Sequence, residues 1–241
     1  MRNPELWEPT NVVLGTDGWE PNKEYIAPWS HHVTSLECPA YVECLEEYVH
    51  GDLLDVGAGT MPYYGIYRPL VNSTIGIDWH KSPHDVSHTD VLADANYGLP
   101  FSDKSFDTVL IADVLEHIFD PRQLIADAAR VLRNNGTLIV FVPFMYGLHE
   151  APHDYHRYTE HELRYLYQSN GIEIKQLQPF GGGPDVVIDL IEKMSHESAI
   201  FKKLVQVALP SIVGTKAFKA ARAKHEVRFP IGYTLAGIKT D

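Results

Sequence analysis

Between residues 149 and 159 the chain reads His-Glu-Ala-Pro-His-Asp-Tyr-His-Arg-Tyr-Thr, its densest run of polar and titratable side chains. Histidine titrates near neutrality, so His149 or His153 is suited to take a proton from an unactivated hydroxyl. Asp154 would orient that histidine, and Arg157 would hold an anionic substrate group or an internal carboxylate. Two plainer readings compete. Asp154 and Arg157 would make a loop ion pair, and Thr159 with Glu162 would form a capping box opening a helix over 160–169. Metal binding by His149, His153 and His156 with Glu150 and Asp154 is disfavoured, because Pro152 and a loop setting spoil the helical spacing. No metal is assigned.

A second pattern with chemical meaning lies upstream. Leu53 to Val56 is a short apolar run with one acid, and it stops at Gly57 and Gly59. Such runs read as buried parallel strands feeding a tight turn, and glycine there lets a ligand approach the backbone closely. Thr74 to Asp78 reads as the next strand, with Asp78 at its carboxyl end roughly 20 residues past the glycines, where an open parallel sheet offers an acid to both hydroxyls of a ribose. A strand-ending turn aspartate is the bland alternative. The third glycine of G-x-G-x-x-G is missing, since Tyr63-Tyr64 follows Met61-Pro62, and no phosphate-binding lysine is present. A nucleoside ligand without phosphate therefore fits better than a dinucleotide.

Strand and helix alternate through the elements that must position these groups. Tyr25–His50 is mostly helical, starting at Pro39, with Tyr41, Cys44, Leu45 and Tyr48 on its apolar side. The aromatic front of that segment (Tyr25, Trp29, His31, His32) suits a flap over a ligand or a packing surface. Pro62–Leu70 is helical. Residues 80–89 are a polar connection, and Ser105–Ala112 is a strongly apolar strand. Pro121–Arg133 is an amphipathic helix capped by Asp120 and stopped by Asn134-Asn135-Gly136. Thr137–Val142 is the next buried strand. The pattern predicts an α/β fold with a doubly wound, mostly parallel sheet and right-handed crossovers.

The 241 residues carry 44% hydrophobic and 22% charged side chains, an ordinary globular balance. Net charge is −12, but residues from 200 onward sum to +6, leaving −18 on the rest. A body so acidic argues against a nucleic-acid groove. Cys38 and Cys44 read as free thiols. The sequence lacks the apolar core of a signal peptide and any membrane-spanning run, so a cytoplasmic location is expected.

The series LDVGAGT (54–60), GID (76–78), LPFSDKSFDTVLIADVLEHI (99–118) and the helix–NNG–strand unit ending in FVPF (141–144) resembles the class I S-adenosylmethionine-dependent methyltransferases, specifically the small-molecule group with an LPF…FD…LEH signature. The likeness covers about residues 50–178 and the final strand. It implies a Rossmann-like seven-stranded sheet with helices on both faces and an antiparallel last strand. It also implies S-adenosyl-L-methionine as cofactor. Gly57, Ala58 and Gly59 would pass under the methionine part, with Asp55 near its amino group. Asp78 would hold the ribose, Asp94 and Ala95 would meet the adenine, and Ala112 and Asp113 would sit beside the sulfonium. Asp55, Asp78, Asp94 and Asp113 would form an acidic crevice suited to a ligand bearing a sulfonium and an ammonium. Glu116-His117 is read as a packing signature rather than a catalytic dyad. The segment H-E-x-P-x-D-Y-x-R-Y-T resembles one in members encoded among bacterial polysaccharide biosynthesis genes, so a hydroxyl of a sugar or glycan intermediate is the expected acceptor. A non-catalytic cofactor-binding protein is the alternative. A nicotinamide-dependent oxidoreductase is disfavoured by the glycine pattern and by the lack of a Tyr-x3-Lys pair.

The domain reading is an N-terminal arm and helical flap over 1–50, then a methyltransferase domain over 51–241. A helical insertion falls at about 184–226, apolar and then basic. It is read first as an extra helical layer, with a substrate lid, a homodimer surface and contact with an anionic membrane as alternatives.

Overall fold

In the computed structural model, which describes residues 1–195 and 198–240, the apolar runs build a single seven-stranded sheet with a separate N-terminal hairpin. Asp241 and the Lys202 side chain, counted above in the terminal charge, lie outside what is described. In chain order the elements are β1 (Val12–Leu14), β2 (Trp19–Pro21), α1 (His31–Tyr48), β3 (Gly51–Val56), α2 (Tyr64–Tyr67), β4 (Val71–Asp78), β5 (Val91–Leu92), β6 (Phe106–Ala112), α3 (Pro121–Val131), β7 (Leu132–Pro143), α4 (Glu160–Gln168), β8 (Ile172–Phe180), α5 (Gly183–Ser195), α6 (Ala199–Val213), α7 (Lys216–His225) and β9 (Gly232–Lys239). The sheet order is β5-β4-β3-β6-β7-β9-β8. Neighbours from β5 to β7 are parallel, and β9 alone runs antiparallel to both its partners. This is the Rossmann-like sheet with an antiparallel last strand that the sequence implies.

The continuous apolar strands follow from burial on both faces. Along β6, Val109 and Ile111 enter the core shared with α3 and α4, whereas Leu110 between them enters the core shared with α1 and α2. Helix α3 buries Leu124, Ile125, Ala128 and Val131, and its first turn is closed by the Asp120 side chain, which accepts from the Gln123 amide at 3.3 Å. The Thr159 hydroxyl likewise accepts from the Glu162 amide at the start of α4, so that half of the capping box forms.

The structure corrects several boundaries. Helix α1 begins at His31 and runs through Pro39 instead of starting there. An interior proline costs a helix on the order of 3 kcal/mol. Burial of Val33, Cys38, Tyr41, Cys44 and Leu45 against the sheet offsets it. Residues 1–50 thus supply a layer of the core through α1, and residues 12–21 pair as a hairpin within what the sequence reads as an N-terminal arm. The Asn134-Asn135-Gly136 stretch does not separate helix from strand. It is a bulge inside β7, where Phe106 pairs with Leu132 but Thr108 pairs with Thr137. The expected helix over Pro62–Leu70 shrinks to the single turn α2 and a 3-10 turn at Arg68–Leu70.

Helices α5, α6 and α7 fill the region read as an insertion. Asp185 on α5 is wholly buried and takes His32 Nε2 of α1 at 2.9 Å and Arg222 of α7 at 2.7 and 2.8 Å. No helix among the described residues is long and apolar enough to cross a membrane. Cys38 and Cys44 are buried free thiols, which burial pushes up to about 11 and about 12.

Candidate active site

The parallel strands β3, β4 and β6 end at one edge of the sheet, and there a cavity of about 880 Å³ opens. The turn after β3 forms its floor. Gly57 has φ +69°, and a Cβ there would stand 2.3 Å from Val114 Cγ2, so only glycine fits. The Gly57 and Ala58 amides donate to the Ile77 carbonyl at 2.8 and 3.1 Å, which fixes the turn on β4.

Asp78 stands at the end of β4. Its carboxylate accepts from the Gly59 amide at 2.7 Å and the Trp79 amide at 2.6 Å. Burial nevertheless holds it above the ordinary carboxylate range. Asp94 and Ala95 follow β5, with Asp94 accepting from the Asn96 amide and side chain at 2.9 Å. At the end of β6 come Ala112 and Asp113, the latter at φ +54°. The Tyr41 hydroxyl donates to Asp113 Oδ1 at 2.8 Å and the Tyr63 hydroxyl to Oδ2 at 3.4 Å. Burial, then the nearby Glu116 carboxylate, push Asp113 up to about 7.

All of the cofactor residues expected from the sequence line this cavity except Asp55. Asp55 sits behind the wall, buried, with the Tyr67 hydroxyl donating to it at 2.7 Å. Burial raises it to about 7. It points into the layer between β3 and α2, so contact with a bound ligand's amino group is not provided by this arrangement.

The loop after β7 closes the other end. His149 and His153 line the cavity, whereas Asp154 and Arg157 do not. These two pair at 2.5 and 2.8 Å, and Arg157 also donates to the carbonyls of Tyr146, Gly147 and His156. Arg157 therefore holds an internal carboxylate and folds the loop, the plainer of the readings made from sequence. Its guanidinium brings Asp154 down to about 2. Asp154 does serve His149, accepting from its backbone amide at 3.0 Å with Nδ1 at 3.4 Å. Burial opposes charge on His149, but the Glu116 and Asp154 carboxylates outweigh it and hold the imidazole above its ordinary range. His153 is more exposed, its ring edge-on to Trp79 and its Nδ1 2.9 Å from the Tyr155 hydroxyl.

The sequence reading missed Glu116, His117 and Glu37 as cavity residues. Glu116 and His117 occupy a 3-10 turn just past β6, and Glu116 is wholly buried. Their place directly after the strand end that carries Asp113 was the available signal. Glu37 lies one helical turn before Tyr41 on α1, and burial, then Asp113, hold it well above the ordinary range. Nothing local marks it, because α1 reaches the site only through packing. Tyr25 and Ser30, ahead of α1, also line the cavity, as a flap over a ligand would.

Comparison with known proteins agrees with the cofactor that the sequence implies. Residues 54–140 match the family described as Methyltransferase domain. An uncharacterized protein of Methanocaldococcus jannaschii is 32% identical over 103 residues, 41% of this chain and 48% of that protein. A Bos taurus protein named "Probable tRNA methyltransferase 9B" is 29% identical over 49% of this chain and 27% of its own length. A Mycolicibacterium smegmatis protein named as a probable S-adenosylmethionine-dependent methyltransferase is 27% identical over 66% of this chain and 65% of its own. The chain thus spans about half or less of the first two relatives and 65% of the third. Among solved structures, a Haloferax volcanii complex of the Trm112 methyltransferase activator with its methyltransferase superposes with TM-score 0.56 at 18% identity, covering 84% of this chain and 89% of that one.

Proposed function

We propose, from the premise that this chain is a class I S-adenosylmethionine-dependent methyltransferase by family, that it moves a methyl group onto a hydroxyl of a small molecule, a sugar or glycan intermediate being the acceptor that its loop sequence favours. One observation carries the reading. The cavity wall holds six carboxylates (Glu37, Asp78, Asp94, Asp113, Glu116, Glu150) against a single lysine, Lys81. Such a wall suits a cationic cofactor without phosphate and repels a dinucleotide.

The cofactor, when bound, supplies an electrophilic methyl on a sulfonium. Gly57 to Gly59 would cradle it, Asp78 and Asp94 would hold the nucleoside, and Asp113 would face its positive charge. Methyl transfer is an in-line displacement, so the chain's main task is to align the acceptor and remove its proton. His149 is the better placed of the two candidate bases, lining the cavity beside Glu116 with Asp154 behind it. His153, at the rim, is the other. The insertion would help cover the acceptor, since Lys193 of α5 stands 3.3 Å over the ring of Tyr146 in the cavity wall.

The relatives include a protein named as a tRNA methyltransferase, which makes RNA the competing acceptor class. The acidic body of this chain, −18 over the first 199 residues, argues against it. The test is to incubate the protein with methyl-labelled cofactor and a cell extract split into small-molecule and RNA fractions. Label in the small-molecule fraction, lost in His149→Ala, supports the reading. Label only in RNA overturns it.

A further inference from the structure

Glu116 raises a question that the methyl-transfer reading leaves open. It is wholly buried, and neither carboxylate oxygen has a hydrogen-bond partner. An unpaired buried carboxylate is costly unless something cationic meets it. Two imidazole nitrogens face it without reaching it: His149 Nε2 stands 3.6 Å from Oε1 and His117 Nε2 stands 3.8 Å from the same oxygen.

The protons on these rings can be placed. His117 Nδ1 is 2.7 Å from the carbonyl of His153, which can only accept, so that nitrogen carries the hydrogen. His149 Nδ1 has two acceptors nearest it, the Gly147 carbonyl at 3.3 Å and Asp154 Oδ2 at 3.4 Å, with the Arg157 guanidinium, a donor, at 3.5 Å. Both rings thus turn Nε2 toward the same carboxylate oxygen. Nδ1–H bound to a carbonyl or carboxylate, with Nε2 directed at a common centre, is the arrangement found around metal-ligating histidines.

We propose that Glu116, His117 and His149 bind a divalent first-row transition ion of the zinc, cobalt or manganese type. The ligand atoms lie within 4.8 Å of one another, and they are the one such group among the described residues. Ligands about 2.1 Å from a shared ion stand roughly 3.0–3.5 Å apart, so the two nitrogen–oxygen separations of 3.6 and 3.8 Å close by a few tenths of an ångström. Glu150 Oε2, 3.9 Å from His117 Nε2, is near enough to add a fourth. Two imidazoles with carboxylate select such an ion over magnesium or calcium, which prefer oxygen alone. A single proton is a poorer occupant, because it can serve only one of the two nitrogen–oxygen lines. This assignment departs from the sequence reading, which gives no metal and weighs His149, His153 and His156 with Glu150 and Asp154; of these, His149 is kept, with Glu150 nearby. His153 contributes only its carbonyl.

The ion would sit in the cavity wall past Asp113, toward the acceptor. There it would acidify a bound hydroxyl, whose proton would pass to His153, the other candidate base, while His149 acts as a ligand. That role rests on the proposed methyl transfer, but the existence of the site does not.

Tag-free protein, dialysed against chelator, would be titrated with Co²⁺ and followed by visible absorption, with Zn²⁺ as competitor. The expected result is saturable binding of one equivalent, displaced by Zn²⁺ and weakened at least tenfold in both His149→Ala and Glu116→Gln. S-Adenosylhomocysteine binding and far-UV circular dichroism report folding of each variant. Should Glu116→Gln not fold, the partly exposed His149→Ala decides alone. No saturable signal at millimolar Co²⁺, or binding unchanged in folded His149→Ala, overturns the site. Cofactor binding is measured separately, so its failure would strike the methyl-transfer reading and leave the ion site standing.

Discussion

The two ends of the cavity are built in different ways. At the cofactor end, Gly57, Asp78 and Asp113 each follow directly from a strand terminus, and the parallel register of β3, β4 and β6 brings those termini together. At the acceptor end, the groups come from α1, a 3-10 turn and the loop after β7, joined by side-chain contacts such as Tyr41 to Asp113 and Arg157 to Asp154. Position is set by backbone topology in the first case and by packing and ion pairing in the second. Damage should therefore propagate differently in the two halves.

The largest effect is expected at the glycine turn. In Gly57→Ala the new Cβ meets Val114 at 2.3 Å with φ +69°. Strain of about 1–3 kcal/mol at such a position, together with displacement of the turn, should weaken S-adenosylhomocysteine binding on the order of 100-fold by calorimetry. Next comes Asp78→Asn, which removes charge from the proposed ribose site. A lost hydrogen bond to a charged group costs roughly 2 kcal/mol, so about a 30-fold loss of affinity is expected.

At the acceptor end, Arg157→Ala strands Asp154 and frees the loop. It should lower methyl transfer about tenfold while leaving cofactor affinity within about twofold, a split that uniform unfolding would not give.

The pH dependence separates the halves again. Asp113 is held up to about 7 by burial and by Glu116. A cationic cofactor binds its ionised form better, so affinity for S-adenosylmethionine should fall as pH drops from 8 to 6, by up to about tenfold. Asp113→Asn should flatten that profile.

The smallest effect on binding is expected from Asp55→Asn, because Asp55 lies outside the cavity. Its raised value, about 7 in the fold, has a consequence for stability instead. A carboxyl raised on folding favours the protonated form, so its contribution is greatest in acid and is lost as pH rises through about 7. Asn should therefore raise stability at pH 8, on the order of 2 kcal/mol by thermal melting, with cofactor affinity nearly unchanged. A tenfold loss of affinity in Asp55→Asn would instead return it to the ligand's surroundings.

The same contrast explains what was legible in the sequence. Strand ends are visible as apolar runs stopping at glycine or acid, so the sheet, the cradle and Asp78, Asp94 and Asp113 could be placed from one dimension. Asp55 shows the limit. It is one residue from the strand end, and side chains alternate between faces, so a shift of that size carries it from cavity to core. Pro39 misled for a related reason: local preference argued for a helix start, and tertiary burial overrode it. Glu37, His117 and the unpaired Glu116 depend on convergence from α1, the turn after β6 and the loop after β7, and no local pattern encodes that meeting.

The central claim is that the acidic cavity at the strand ends binds S-adenosylmethionine. Calorimetric titration of the folded protein with S-adenosylhomocysteine tests it most directly. The account predicts saturable binding at one ligand per chain, strongly reduced in Asp78→Asn. No detectable heat at millimolar ligand, with the protein folded by circular dichroism, would contradict it.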